Sequence, residues 1–286
     1  INIMMKALYS GVSGMRSHQT KMDVIGNNIA NVNTNGYKTQ RTTFRDVYYQ
    51  QLSNPTKPGD TPLRGGTNAS QVGYGAQVGS VDTIHTISGW TPTNKPTDVF
   101  INGEGYLMVQ DSSGQMFYTR LGSLNFDSSG NLVDSNGSLV MGSNSEITGD
   151  TIAEGDLKAI KVDLVNHSNI TINEDGTITG TVLSGTDKDT IKVLGQIAIA
   201  NVPNQDALIL EGNSYYRKSN NTGEITYHEA GLVGTGKLIA GALEMSNVDL
   251  ANEFSDMIVT QRGFQANTKI ISVVDQMLEE LVNLKR

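Results

Sequence analysis

Four histidines, His18, His85, His167 and His228, and three aspartates beside glycine turns, Asp111, Asp127 and Asp175, are the side chains in this chain best suited to catalysis or metal binding. Their spacing argues against both. No two histidines stand i,i+4 as in a helical zinc site, and none adjoins a nucleophile elbow. The aspartate runs, such as Asp111-Ser-Ser-Gly114 and Asp127-Ser-Ser-Gly130, lack the alternating oxygen ligands and closing glutamate of a helix-flanked calcium loop. Asp and Asn bonding to their own turn backbone explains them without a metal. No glycine-rich loop is followed by the Lys-Ser/Thr of a nucleotide site. Cysteine is absent, which removes disulfides, thiolate ligands, haem attachment and thiol catalysis together. The expectation is a protein with no enzymatic activity, no cofactor and no metal site.

Charge narrows the partners. The formal net charge is −8, from 29 acidic and 21 basic residues, with no basic cluster to neutralise phosphates, so nucleic acid is not expected. No apolar run approaches the ~18–20 residues that cross a membrane. Membrane insertion is therefore not expected. Residues Ile1–Ser10 lack the apolar stretch and cleavage site of a secretory leader. Only 17% of residues are charged, while Gly, Asn, Ser and Thr abound, a composition suited to turns and close subunit contacts.

The elements that would hold any function are unevenly distributed. Apolar residues recur three and four apart at the two ends and nowhere between. Met5, Leu8, Val12, Met15 and Met22, with polar Gln19 in register, predict a helix over Met5–Val32. Ile25, Ile29 and Val32 continue it after a stutter. Gly11, Gly14 and Gly26 each weaken it by about 1 kcal/mol relative to alanine, so it needs a partner. Asn33-Thr34-Asn35-Gly36 ends it. A second, longer helix follows Ser246-Asn-Val-Asp249, a candidate capping box. Its stripe is Leu250, Phe254, Met257, Phe264, Ile271, Leu278 and Leu281, interrupted by Gln261 and Thr268.

Between them, Lys38–Thr67 is irregular and proline-bearing and reads as an extended connection that packs on something outside its own fold. From Gln71 the period becomes two, with short segments separated by Gly, Asn and Asp, which predicts an antiparallel β domain. The expected fold is α + β. Paired terminal helices (1–37 and 242–286) form a coiled-coil-like layer, 38–70 is a linker, and 71–241 is a β-rich domain. The expected assembly residues are Leu8, Val12, Met15, Met22 and Ile29 on the first helix and the seven named stripe positions on the second.

Leu8-Tyr-Ser-Gly-Val-Ser-Gly-Met15 and Asp23–Lys38 resemble the N-terminal motif of the bacterial flagellar rod and hook proteins. Gly241–Leu250, Met257–Asn267 and Met277–Lys285 resemble that family's C-terminal motif. Asn94–Asp98, Ile101–Tyr106 and Tyr118–Gly122 resemble its shared β domain. Within the family, Val248-Asp-Leu250 and the Asn283-Leu-Lys-Arg286 ending look most like a short hook protein, with the distal rod protein as the alternative. Between Gly142 and Gln196 there is no room for a large extra outer domain.

The resemblance implies a helical homopolymer whose terminal helices line an axial channel. As a hook it would be a universal joint passing torque from rod to filament. Its implied partners are further copies of itself, the distal rod protein, the hook cap, the hook–filament junction proteins and the flagellar export apparatus. Its implied location is the extracellular hook, reached without a cleaved signal peptide.

Overall fold

A computed structural model describes residues 2–60, 63–144, 152, 157–183, 189–232 and 234–284. Ile1, Lys285 and Arg286 of the expected terminal segments, and Thr61 and Pro62 of the expected linker, lie outside them. The class is α + β, with a helix at each end and a mainly antiparallel β middle. Two compact units form. One comprises Ile1–Ala30, Gln40–Thr83 and Val248–Arg286, the other Asn31–Thr39 and Ile84–Asn247.

In the first unit, α1 (Asn2–Ala30) and α2 (Leu250–Asn283) run antiparallel. Gly11 meets Ile271, Gly14 meets Asn267, and Gly263 lies under the ring of His18. Farther along, Lys21 pairs with Asp256 at 2.9 Å. The less exposed face of α1 follows Leu8, Gly11, Met15, His18, Met22, Ile25 and Ile29, and that of α2 follows Met257, Thr260, Phe264, Asn267, Ile271, Val274 and Leu278. Both are unbroken four-and-three repeats, so the expected stutter after Met22 is not there. Glycine and histidine fill positions that a search for apolar residues skips.

Capping also differs from the expectation. Asp249 itself is the N-cap, accepting from the amides of Ala251 at 2.9 Å and Asn252 at 3.4 Å. The Asn252 side chain reaches back to the same carboxylate at 2.8 Å. Ser246 lies before the helix start.

The same unit holds a two-stranded ribbon where an extended connection was expected. Gln40–Asp46 pairs with Ala76–Thr83, Tyr49–Ser53 with Ser70–Gly73, and Gly59–Asp60 with Leu63–Arg64, all antiparallel. Polar side chains on both faces hide the period of two, which is why the sequence reads as irregular. The ribbon's base packs on α1, where Ser17 Oγ donates to the Ala76 carbonyl and the His18 ring meets Phe44 edge-on.

The second unit is built on one antiparallel sheet of thirteen strands among the described residues. Its main path runs His167–Ile172, Thr177–Val182, Ile191–Ile197, Leu139–Ser143, Tyr106–Gln110, Met116–Thr119, Tyr215–Arg217, Ile209–Gly212. Strand Tyr106–Gln110 is buried on both faces, with Leu107 and Val109 in one core cluster and Tyr106 and Met108 in another. Two further pairs, Val99–Asn102 with Lys237–Ala240 and Trp90–Pro92 with Ala242–Glu244, complete the unit. The Gly142–Gln196 stretch contributes strands to the same sheet.

The aspartate runs are hairpin turns. Asp127 Oδ1 accepts from the amides of Ser129 and Asn131, both at 2.8 Å. Gly114, Gly130 and Gly176 close their turns at positive φ. At the last of these Asn173, not Asp175, leads the turn, its carbonyl accepting from the Gly176 amide.

Candidate assembly surface and its buried anchor

The twelve expected assembly residues fall into three groups. Leu8, Met15, Met22, Ile29, Met257, Phe264, Ile271 and Leu278 lie on the facing sides of α1 and α2 and are partly buried there. Val12 is also partly buried but is not part of that repeat. Leu250, Phe254 and Leu281 are exposed, Phe254 by 51%; Leu250 and Leu281 continue the repeat near the two ends of α2, while Phe254 lies off it. They share α2 with Ile258, Val259, Ile270, Val273 and Met277, all exposed. A single chain thus pairs its helices along one stripe and leaves further apolar side chains of α2 uncovered.

Glycines bring the pair close. A Cβ on Gly14 would stand 2.9 Å from the Asn267 amide, and one on Gly263 would stand 2.6 Å from His18 Cε1. Burial beside Lys21 lowers the His18 pKa, with desolvation the larger cause.

The second unit contains a buried charge cluster whose members come from three distant segments. Lys38 Nζ donates to Glu244 Oε1 at 2.6 Å and to the Thr86 carbonyl at 2.8 Å. The Ser88 amide also donates to Glu244 Oε1, at 3.3 Å. Arg120 Nη1 stands 3.6 Å from Glu244 Oε2, and its guanidinium lies over the Tyr106 ring at 5.1 Å. All three charged side chains are at most 1% exposed. Desolvation lowers the Lys38 pKa, the Glu244 carboxylate opposing it and Arg120 adding to it.

Backbone contacts reinforce the cluster. The Gly36 amide donates to the Glu244 carbonyl at 2.9 Å. Gly36 takes φ +70°, and a Cβ there would lie 3.2 Å from the backbone of Arg120 and Leu121. The segments after α1 and before α2 therefore belong to the β unit, not to the helices, as 31–39 and 240–247 show.

This arrangement holds protein segments together and offers no reacting centre. His85 Nδ1 and Tyr106 Oη share a 2.8 Å hydrogen bond, and burial pushes the His85 pKa down to about 4. Lys38, Arg120 and Glu244 all lie in the recognised motifs, yet their roles were not legible from spacing. The available signal was isolation: each is a lone charge flanked by apolar or small residues, as in Ala242-Leu-Glu244-Met.

Three family models match successive parts of the chain. "Flagella basal body rod protein" covers 8–38, "Flagellar hook protein FlgE/F/G D1 domain" covers 100–180, and "Flagellar basal body rod FlgEFG protein C-terminal" covers 239–284. The chain is 44% identical to the flagellar basal-body rod protein FlgG of Bacillus subtilis over 99% of its own length and 100% of that protein. This chain belongs to the flagellar rod and hook protein family.

It is a structural subunit of the flagellar axis and not an enzyme. Borreliella burgdorferi supplies two relatives for comparison. Its rod protein FlgG is 35% identical over 284 positions, and its hook protein FlgE is 29% identical over 444. Each comparison covers 99% of this axial subunit and 100% of the relative. The Lys38, Arg120 and Glu244 anchor draws on segments inside all three matched regions.

Proposed function

We propose that this chain is the distal rod subunit, polymerising into the straight, hollow drive shaft below the hook. The observation that carries this reading is the end-to-end match, at 44% identity, to a rod protein of nearly the same length. Against the hook relative, 286 residues spread over 444 positions, so more than a third of those positions have no counterpart here. The hook-like C-terminal motif does not outweigh this, because one C-terminal model spans rod and hook members alike. The curved universal joint is accordingly the alternative.

The ribbon agrees with a stiff shaft. Tyr48, Tyr49, Leu52 and Val72 on it are exposed. Two strands alone are marginally stable in water. Laid on neighbouring copies, such ribbons would add contacts that resist sliding. The terminal helices with their exposed apolar side chains would line the channel, and the β units would form the outer layer. The partners would be further copies, the hook protein at the distal end, and the export apparatus.

The absence of cysteine provides a clean test. Val165 is 83% exposed, so Val165→Cys accepts maleimide-gold without disturbing the core. On purified hook–basal bodies, gold should decorate the straight shaft. Decoration of the curved segment would move the assignment to the hook.

A further inference from the structure

The chain passes between its two units at four places, and the crossing between Thr39 and Gln40 is gripped from both sides by asparagine side chains. Gln40 belongs to the helix-and-ribbon unit and Thr39 to the β unit. Within the first, Asn28 of α1 is only 1% exposed and pairs with the whole Gln40 peptide face. Its Nδ2 donates to the Gln40 carbonyl at 2.9 Å, and its Oδ1 accepts from the Gln40 amide at 3.0 Å. The same Nδ2 also donates to Glu253 of α2 at 3.1 Å.

Within the second unit, Asn247 does the equivalent for Thr39. Its Oδ1 accepts from the Thr39 amide at 2.7 Å, and its Nδ2 donates to the Ile84 carbonyl at 2.9 Å. The Ile84 amide in turn donates to the Thr39 carbonyl at 2.8 Å. Thr39, Ile84 and Asn247 are this unit's residues at three of the chain's four crossings. One asparagine therefore ties three of the crossings into a single hydrogen-bonded node.

The geometry points to Asn28 and Asn247 as paired positioning residues that stiffen the backbone on either side of the 39/40 crossing. The chemistry suits asparagine in particular. A planar amide presents one donor and one acceptor side by side, matching the carbonyl and amide of an extended residue. Aspartate would keep the acceptor but set a carboxylate against a carbonyl, and alanine would leave partly buried backbone groups unpaired. Ion pairs near a surface would be screened by salt, whereas these bonds are neutral. The inference rests on membership of the axial family and not on a place in rod or hook.

The test uses the full chain. Asn247→Ala should accelerate hydrogen exchange at the Thr39 amide, and Asn28→Ala at Gln40, each roughly three- to tenfold, as for loss of one hydrogen bond. Spin labels at Gln51→Cys on the ribbon and Val165→Cys on the β unit would report the spread of distances in dilute protein, where polymerisation is not needed. Asn28→Ala/Asn247→Ala should broaden that distribution, and polymer grown from it should show a shorter persistence length. Wild-type distance widths in the double variant, with exchange accelerated as expected, would overturn the inference. Unchanged exchange would overturn it too, since the bonds would then not govern the crossing.

Discussion

Glu244 holds two cations in a site almost without water, so the consequences of losing each partner are unequal. Removing the single anion leaves Lys38 and Arg120 buried together without compensation. Glu244→Gln should therefore destabilise the β unit by about 3–5 kcal/mol. Lys38→Met removes one of two cations, leaves Arg120 facing Glu244, and abandons only the Thr86 carbonyl, for roughly 1–3 kcal/mol. Denaturant melts followed through Trp90, the sole tryptophan, check the order, because Trp90 pairs directly with Glu244 across two strands. A costlier Lys38→Met would mean that charge balance does not govern the cluster. His85 supplies a pH signature nearby. Burial first, then Lys38 and Arg120, hold its pKa down to about 4 against the pull of Asp206. The unfolded chain takes up the proton near its ordinary value of about 6.5. Stability is thus intact above pH 6.5 and falls as pH drops toward 4, by at most about 3 kcal/mol and less with solvent screening. Thermal melts across that window should slope more steeply for the wild type than for His85→Gln.

At the level of elements, the helix pair separates two kinds of glycine. A methyl group added at Gly26 would have nothing within 4 Å, whereas one at Gly263 would press into the His18 ring. Gly26→Ala should raise the stability of α1 by up to about 1 kcal/mol through propensity alone. Gly263→Ala should lose that gain or reverse it, because the ring must move. Circular dichroism melts of the two variants give the comparison, and an equal rise in both would show that the helices do not approach as closely as Gly263 and His18 imply. The same residues explain what was legible beforehand. Leu8, Met22, Phe264 and Ile271 stood out because apolar side chains announce a buried stripe. Gly11, His18, Thr260 and Asn267 did not, since small and polar residues fill a close seam without an apolar signal. Strands ending in Asp-Ser-Ser-Gly turns were readable from the turn chemistry. The 40–83 ribbon was not, because its two solvated faces carry no alternation, and its pairing partner lies beyond three prolines. The asparagine grips at Asn28 and Asn247 depend on contacts across more than 150 residues in one case and a turn in the other, which no local pattern encodes.

For the whole molecule, the paired stripe of α2 and the exposed Phe254 make separable predictions about folding and polymerisation. Ile271 sits against Gly11 within the pair, while Phe254 is half exposed in the single chain. Ile271→Ala should lower the helix content of the isolated chain, since it removes packed volume at a cost of about 2 kcal/mol or more. Phe254→Ser removes much less packed volume, so the isolated chain should keep its stability within about 0.5 kcal/mol. In a polymer, every copy would bury Phe254 on a neighbour, and losing about 1.5–3 kcal/mol per contact would raise the critical concentration roughly ten- to a hundredfold. Sedimentation of polymer across a concentration series reads this directly, with melts of the dilute protein as the control. Assembly of Phe254→Ser at the wild-type critical concentration would mean that Phe254 faces solvent in the axis and that other surfaces join the subunits.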